Sequence, residues 1–328
     1  MFEKQKNAKV NKRKAIFMAV NKNGIVVLGA VFVDVKGFPD DIYIPDGRNA
    51  GHVEYIHGGV SRNVVEDIAN LELRPTFLGI VDESALGDDV VRKLKKHKVN
   101  TEYMQTVPNG MGTWLAVFDN NGDLAGSISQ RPNLSSILTM LEERGDEIIG
   151  VCDSVVAEVD MDKDIIKKLV QLCEKHQKKL YGVVSNMSIA VERRDFLQKF
   201  DCFICNQLEA GIFFTDDYSE KTSDELSSIL AERLQVANIP AMVVTMGGQG
   251  AVYADNKGNK GFCPAQKVKV KDTTGAGDAF CAGVSAGLTY GKTLSEAVEI
   301  GTRLAASVIT SSDNVCPRFL PEEFGIKA

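Results

Sequence analysis

The sequence contains no apolar run approaching the roughly 18 residues an α-helix needs to cross a bilayer. It has no Gly-x-x-x-x-Gly-Lys-Ser/Thr, which excludes P-loop chemistry. It has no cysteine framework either: seven cysteines, an odd number, are scattered along 328 residues, a pattern that suits a reducing compartment. Positive charge is not in excess, since 38 Lys and Arg face 44 Asp and Glu for a net −6, so nucleic acid is not expected as the main partner. The four histidines show no ligand spacing and are expected on the surface or on β additions to the core. Ala15–Val20 follows positive charge as an export signal would, but it is too short and no cleavage site follows, so a cytoplasmic location is expected. Internal repeats and low-complexity linkers are also missing, which favours one core over tandem domains.

The composition that remains is ordinary for a globular chain, 44% hydrophobic and 25% charged. Lys4, Lys6, Lys9, Lys12, Arg13 and Lys14 make residues 1–22 a basic extension, either solvated or an anion-binding arm. From residue 23 to 328, short β-branched runs alternate with helical patterns. Strands are expected at 25–28, 76–81, 154–157, 179–184, 202–205 and 241–245. Helices are expected at 60–71, 87–98, 162–176, 191–200, 223–237, 275–289 and 295–309. Strands separated by helices imply a mostly parallel sheet covered on both faces. Two stretches break the rhythm, about 36–57 and about 107–130, the second with a hairpin turn at Asn120-Asn121-Gly122. Both read as a small β-sheet lid added to the α/β core. Cys202 and Cys205 form a Cys-x-x-Cys inside an apolar run with no second ligand pair, and are expected as buried strand cysteines.

Asp272–Phe280 carries the most chemistry. The strand-like Lys267–Lys271 leads into Asp272-Thr273-Thr274-Gly275-Ala276-Gly277-Asp278, and a helix rich in small residues begins there. A Gly-x-Gly turn at a helix start presents backbone N–H groups at the positive end of the helix dipole, which suits phosphate. Asp278 in the first turn could take the proton of an attacking hydroxyl; on these residues alone, a helix N-cap aspartate is the plainer reading. Asn206 and Glu209, three apart after an apolar strand, share one face of a helix start. Gly58-Gly59 opens the helix that carries Asn63, and Asp34 follows the first apolar strand.

Together these motifs resemble the ribokinase-like (PfkB) family of sugar and nucleoside kinases over nearly the whole chain after about Gly24. The resemblance implies a three-layer α/β/α core with a β lid. It implies ATP-dependent phosphorylation of a hydroxyl, with Asp278 as the base and Gly275, Ala276 and Gly277 as the anion hole. Asp34, Gly58, Gly59 and Asn63 would bind substrate. Asn206, Glu209, Thr245, Gly247, Gly248, Gly250 and Thr274 would serve ATP, Glu209 holding Mg²⁺ through water. Asp272 falls where many members place a monovalent-cation ligand, which implies K⁺. Within the family the Val33–Gly37, Asp46–Gly51 and Gly58–Val64 stretches resemble pseudouridine kinases, whose acceptor is the ribose 5′-hydroxyl. Residues 157–161 and 182–187 differ from that group's usual pattern. A free-sugar or sugar-acid kinase is the alternative, and a non-catalytic binding protein a more remote one. The family's lids often pair between subunits, so a homodimer is an expectation too. Arg131 is placed either at the substrate or on an exposed loop.

Overall fold

The computed structural model describes residues 24–327; the expected basic extension lies outside them. The fourteen strands among the described residues, in chain order, begin with β1 (Ile25–Leu28), β2 (Phe32–Pro39), β3 (Gly51–Gly58), β4 (Thr76–Leu78), β5 (Ile80–Val81) and β6 (Gln105–Thr106). Next come β7 (Gly112–Phe118), β8 (Leu124–Gln130), β9 (Ser154–Glu158) and β10 (Lys179–Val183). The last four are β11 (Cys202–Asn206), β12 (Ala241–Thr245), β13 (Gly250–Asp255) and β14 (Lys260–Pro264). The main helices are α1 (Val60–Asn70), α2 (Ala85–Lys96), α3 (Ser135–Val151) and α4 (Lys163–His176), then α5 (Gln207–Phe214), α6 (Ser223–Ala237), α7 (Ala276–Thr289) and α8 (Leu294–Val308).

Eight strands make the large sheet, in the order β14-β13-β12-β11-β10-β9-β1-β4. From β4 to β12 every pairing is parallel, and β13 and β14 close the edge as an antiparallel hairpin. Parallel strands need crossovers, and helices supply them. Alternate residues of β1 enter different cores: Val26 and Leu28 pack with α3, α4, α5 and α6, Ile25 and Val27 with α1, α2, α7 and α8. The chain is therefore three layers, with a mostly parallel sheet in the middle. Cys202 and Cys205 fall into opposite cores, three positions apart on β11, and so cannot share one metal ion.

A separate sheet has the order β3-β2-β7-β8, with β2 and β7 parallel and the outer pairs antiparallel. It begins at Phe32, earlier than the expected 36, and this takes Asp34 out of the first core strand's end and into the second sheet. Among the described residues no helix is long and apolar enough to cross a membrane.

Two expected elements are corrected. Residues 267–271 are not a strand: β14 is already the sheet's edge, and past it the chain runs irregular and exposed, its Lys271 N–H donating to the Ile309 carbonyl. The valine–lysine alternation there mimics a half-buried strand. The expected helix over 191–200 is broken into a 3₁₀ turn (Val191–Arg193) and a four-residue helical piece (Arg194–Leu197). Helix α3, unanticipated, buries Ile137, Met140, Leu141, Ile148 and Ile149 on one stripe.

Candidate active site

The site is built where carboxyl ends of core strands meet the second sheet. At the start of α7, Gly275 takes the left-handed φ of 81°, and a side chain there would run into the Asn314 carbonyl. Gly277 faces open space, so nothing blocks an approaching oxygen. The first N–H groups of a helix lack intrahelical acceptors, and at the start of α7 these belong to Ala276, Gly277 and Asp278. The Ala276 N–H is the exception, turned to the Thr273 carbonyl at 3.3 Å.

Asp278 Oδ2 accepts a 2.6 Å hydrogen bond from Asn63 Nδ2 across 215 residues of chain. Asn63 is buried, and its Oδ1 has no partner among the described residues. An orphaned buried acceptor costs about 1–3 kcal/mol unless something donates to it, so this carbonyl fits a substrate hydroxyl. Desolvation raises the Asp278 carboxyl to about 7; the Asn63 bond and Arg62 oppose that rise, while Asp34 and Glu209 add to it. Those influences put Asp34, Asn63, Glu209 and Asp278 in one constellation. Burial also raises Asp34, against the pull of Lys36 and Arg62. The Asp34 carboxylate lies against Gly58, 2.6 Å from where a Cβ would stand, so a side chain there would displace it.

Asn206 and Glu209 hold each other in a capping box. Asn206 Oδ1 accepts from Glu209 N and Glu209 Oε2 from Asn206 N, both at 2.8 Å. This reciprocal cap fixes the pair and leaves Glu209 Oε1 for a ligand. Asp272 Oδ1 caps its own turn by accepting from Thr274 N at 2.9 Å, a bond that holds its carboxyl below the usual range.

Between the 247–250 turn and α7 lies a cavity of about 640 Å³. Thr245, Gly247, Gly248, Gly250 and Gly277 line it, together with the apolar Val268, Val270, Phe280 and Ile309. The irregular 267–271 stretch, misread as a strand, therefore forms a wall of this cavity; its alternating valines were the available signal.

Three groups escaped sequence reasoning. Arg62 is buried, donating to the His57 and Gly58 carbonyls and, at 2.7 Å, to Glu66. Glu158 Oε1 accepts from Ala30 N at 3.2 Å and Ser61 N at 3.0 Å, tying the end of β1 to the start of α1. Burial and the charge of Asp160 push Glu158 up. Asp160 accepts from Ser185 N at 2.9 Å, and Arg131 donates to its carbonyl at 3.0 Å. Arg131 thus holds the β9 end in place. Buried acids at 158 and 160 were visible only as a pattern departure.

Comparison with known proteins matches residues 22–316 to the model described as pfkB family carbohydrate kinase. A guanosine-inosine kinase of Exiguobacterium acetylicum is 35% identical over 294 residues, 89% of this chain and 96% of that one. A pseudouridine kinase of Escherichia coli is 26% identical over 292 residues, 84% of this chain and 87% of that one. The structure of an Arabidopsis thaliana ribokinase complexed with ribose and ATP superposes with a TM-score of 0.81 at 18% identity, covering 92% of this chain and 98% of that one. At that identity the superposition speaks for the fold.

Proposed function

The chain belongs to the pfkB family of carbohydrate kinases, and from that premise we propose that it transfers the γ-phosphoryl group of ATP to a ribose hydroxyl of a purine nucleoside. The observation that carries the site is the Asn63–Asp278 hydrogen bond with Asn63 Oδ1 left to accept from the substrate. The purine preference rests on the 35% identity to a guanosine-inosine kinase across nearly its full length. Pseudouridine, expected from the Val33–Gly37, Asp46–Gly51 and Gly58–Val64 stretches, is the second reading, supported by a more distant relative.

In this reading Asp34 and Asn63 grip the ribose, and Asp278 takes the proton of the attacking hydroxyl. The Gly277 and Asp278 N–H groups at the positive end of α7 stabilise charge on the transferring phosphoryl. The apolar wall at Val268, Val270 and Phe280 receives the adenine, and Gly247 and Gly248 leave room for the rest of the nucleotide. Glu209, fixed by its reciprocal cap with Asn206, would hold Mg²⁺ through water, and the ion would supply charge to offset that of the phosphates. Asp272, held in its turn by the Thr274 N–H, would be the ligand for a K⁺ ion. Catalysis rests on placement and fixed charge, with no covalent intermediate on the protein.

A substrate panel tests this directly: guanosine, inosine, pseudouridine and ribose, each with ATP and Mg²⁺, followed by ADP release and product mass. The expected result is the highest kcat/KM for guanosine or inosine. Turnover of ribose with none of the nucleosides would sink the nucleoside reading.

A further inference from the structure

The chain has one tryptophan, and the register of the second sheet decides where it points. Asp34 on β2 is paired with Trp114 on β7. Residues directly opposite each other on neighbouring strands project to the same face and stand close enough for their side chains to share a ligand. Asp34's own direction is fixed. Its carboxylate rests on Gly58 and lies within electrostatic reach of Arg62 and Asp278. The face that carries Trp114 is therefore the face turned to the acceptor site.

Neither core packing nor a ring contact accounts for the indole there. It is half-buried yet belongs to neither hydrophobic core, whereas Phe32 on the same sheet face packs against one. Other rings of this face are engaged, Phe38 stacking on both His52 and Phe118. Among the described residues no ring contact involves Trp114, and its N–H has no acceptor. One strand further on, opposite Trp114, the exposed Ser129 offers a hydroxyl that can donate or accept.

We propose that Trp114 is a specificity-determining residue of the acceptor site, its indole stacking on the nucleobase of a nucleoside whose ribose Asp34 holds. This rests on the nucleoside reading given above. A base joined to a ribose gripped at Asp34 lies about one side-chain spacing away, which is the offset between opposite residues of paired strands. Every base offers a π-face, so stacking separates nucleosides from free sugars while remaining tolerant of which base is stacked. A purine overlaps the indole more fully than a pyrimidine does, and the Ser129 hydroxyl lies at the base edge.

Because Trp114 is the sole tryptophan, its emission reports on this site alone. In the full-length protein without ATP, inosine should change tryptophan emission saturably. Trp114→Leu should raise KM for inosine roughly ten- to a hundredfold while leaving KM for ATP and the thermal midpoint near wild type. Trp114→Phe, which keeps an aromatic face, should recover most of the loss. A merely structural tryptophan would instead lower the thermal midpoint and disturb inosine and ATP together. Turnover of nucleosides with an unchanged inosine KM in Trp114→Leu would overturn the role of Trp114 and leave the nucleoside reading standing. Turnover of ribose alone by the wild type would overturn that reading and, with it, the base contact.

Discussion

On the proposed reading, Asp278 serves the reaction at the expense of the fold. Its carboxyl is raised to about 7 chiefly by desolvation. A carboxyl in an unfolded chain titrates near 4, so the native state binds this proton more tightly than the unfolded state does. The stability it contributes is complete below about pH 4 and is lost as the pH rises through about 7. Asp278→Asn never ionises and keeps a partner for Asn63. It should match wild type in thermal midpoint at about pH 4 and exceed it by a few degrees at about pH 8. The same variant should lose about 10²- to 10⁴-fold in kcat. Wild-type kcat/KM should fall as the pH drops below about 7, because the base must be ionised. Thermal melts and a pH–rate profile on the two proteins check all three, and equal melting at the higher pH would contradict the buried-charge account. At this scale the sequence was legible where backbone geometry demands a residue type. Gly275 announced the turn that its left-handed φ requires, whereas a proton-accepting role for Asp278 came only with the family resemblance. The sequence assigned no role to Arg62 or to Glu158, the latter held by a contact more than ninety residues away.

At the scale of elements, α7 must hold Asp278 still, and its small residues explain how. A Cβ on Gly283 would come within 2.7 Å of the Gly301 Cα, so α7 and α8 touch backbone to backbone. Gly283→Val would force the helices apart and tilt the helix that carries the base. Overpacking of this kind costs about 1–3 kcal/mol or more, and kcat should fall along with the thermal midpoint. If melting drops and kcat of the folded fraction is unchanged, the helix pair supports the fold without positioning Asp278. The α/β alternation was legible because each strand between 154 and 245 is a short apolar run bounded by a helical period. Residues 267–271 misled because alternating valines look the same on a cavity wall as on a strand. Helix α3 carried its own signal in Ile137, Met140 and Leu141, obscured by the hairpin before it.

On the proposed reading, the whole molecule divides its two substrates between two sheets. The ATP cavity is bounded by the large sheet's β12–β14 end and by α7 and α8, all within the three-layer core. Asp34 and Trp114, the proposed sugar grip and base face, belong to the second sheet, while the hydrogen-bonded pair Asn63 and Asp278 belongs to the core. Ligand binding to the native state alone stabilises it by RT ln(1 + [L]/Kd), about 2.7 kcal/mol at a hundredfold excess over Kd. The division predicts that the two ligands can be uncoupled by one substitution in the second sheet. Asp34→Asn keeps the side chain's size against Gly58 but loses a charge-assisted acceptor for ribose hydroxyls. It should abolish most of the nucleoside-induced rise in thermal midpoint and leave the ATP-induced rise within experimental scatter. If both rises vanish, Asp34 supports the core and the sheets do not divide the substrates. If neither changes, the ribose is held by Asn63 and the core alone, and the second sheet contributes the base contact without the sugar grip.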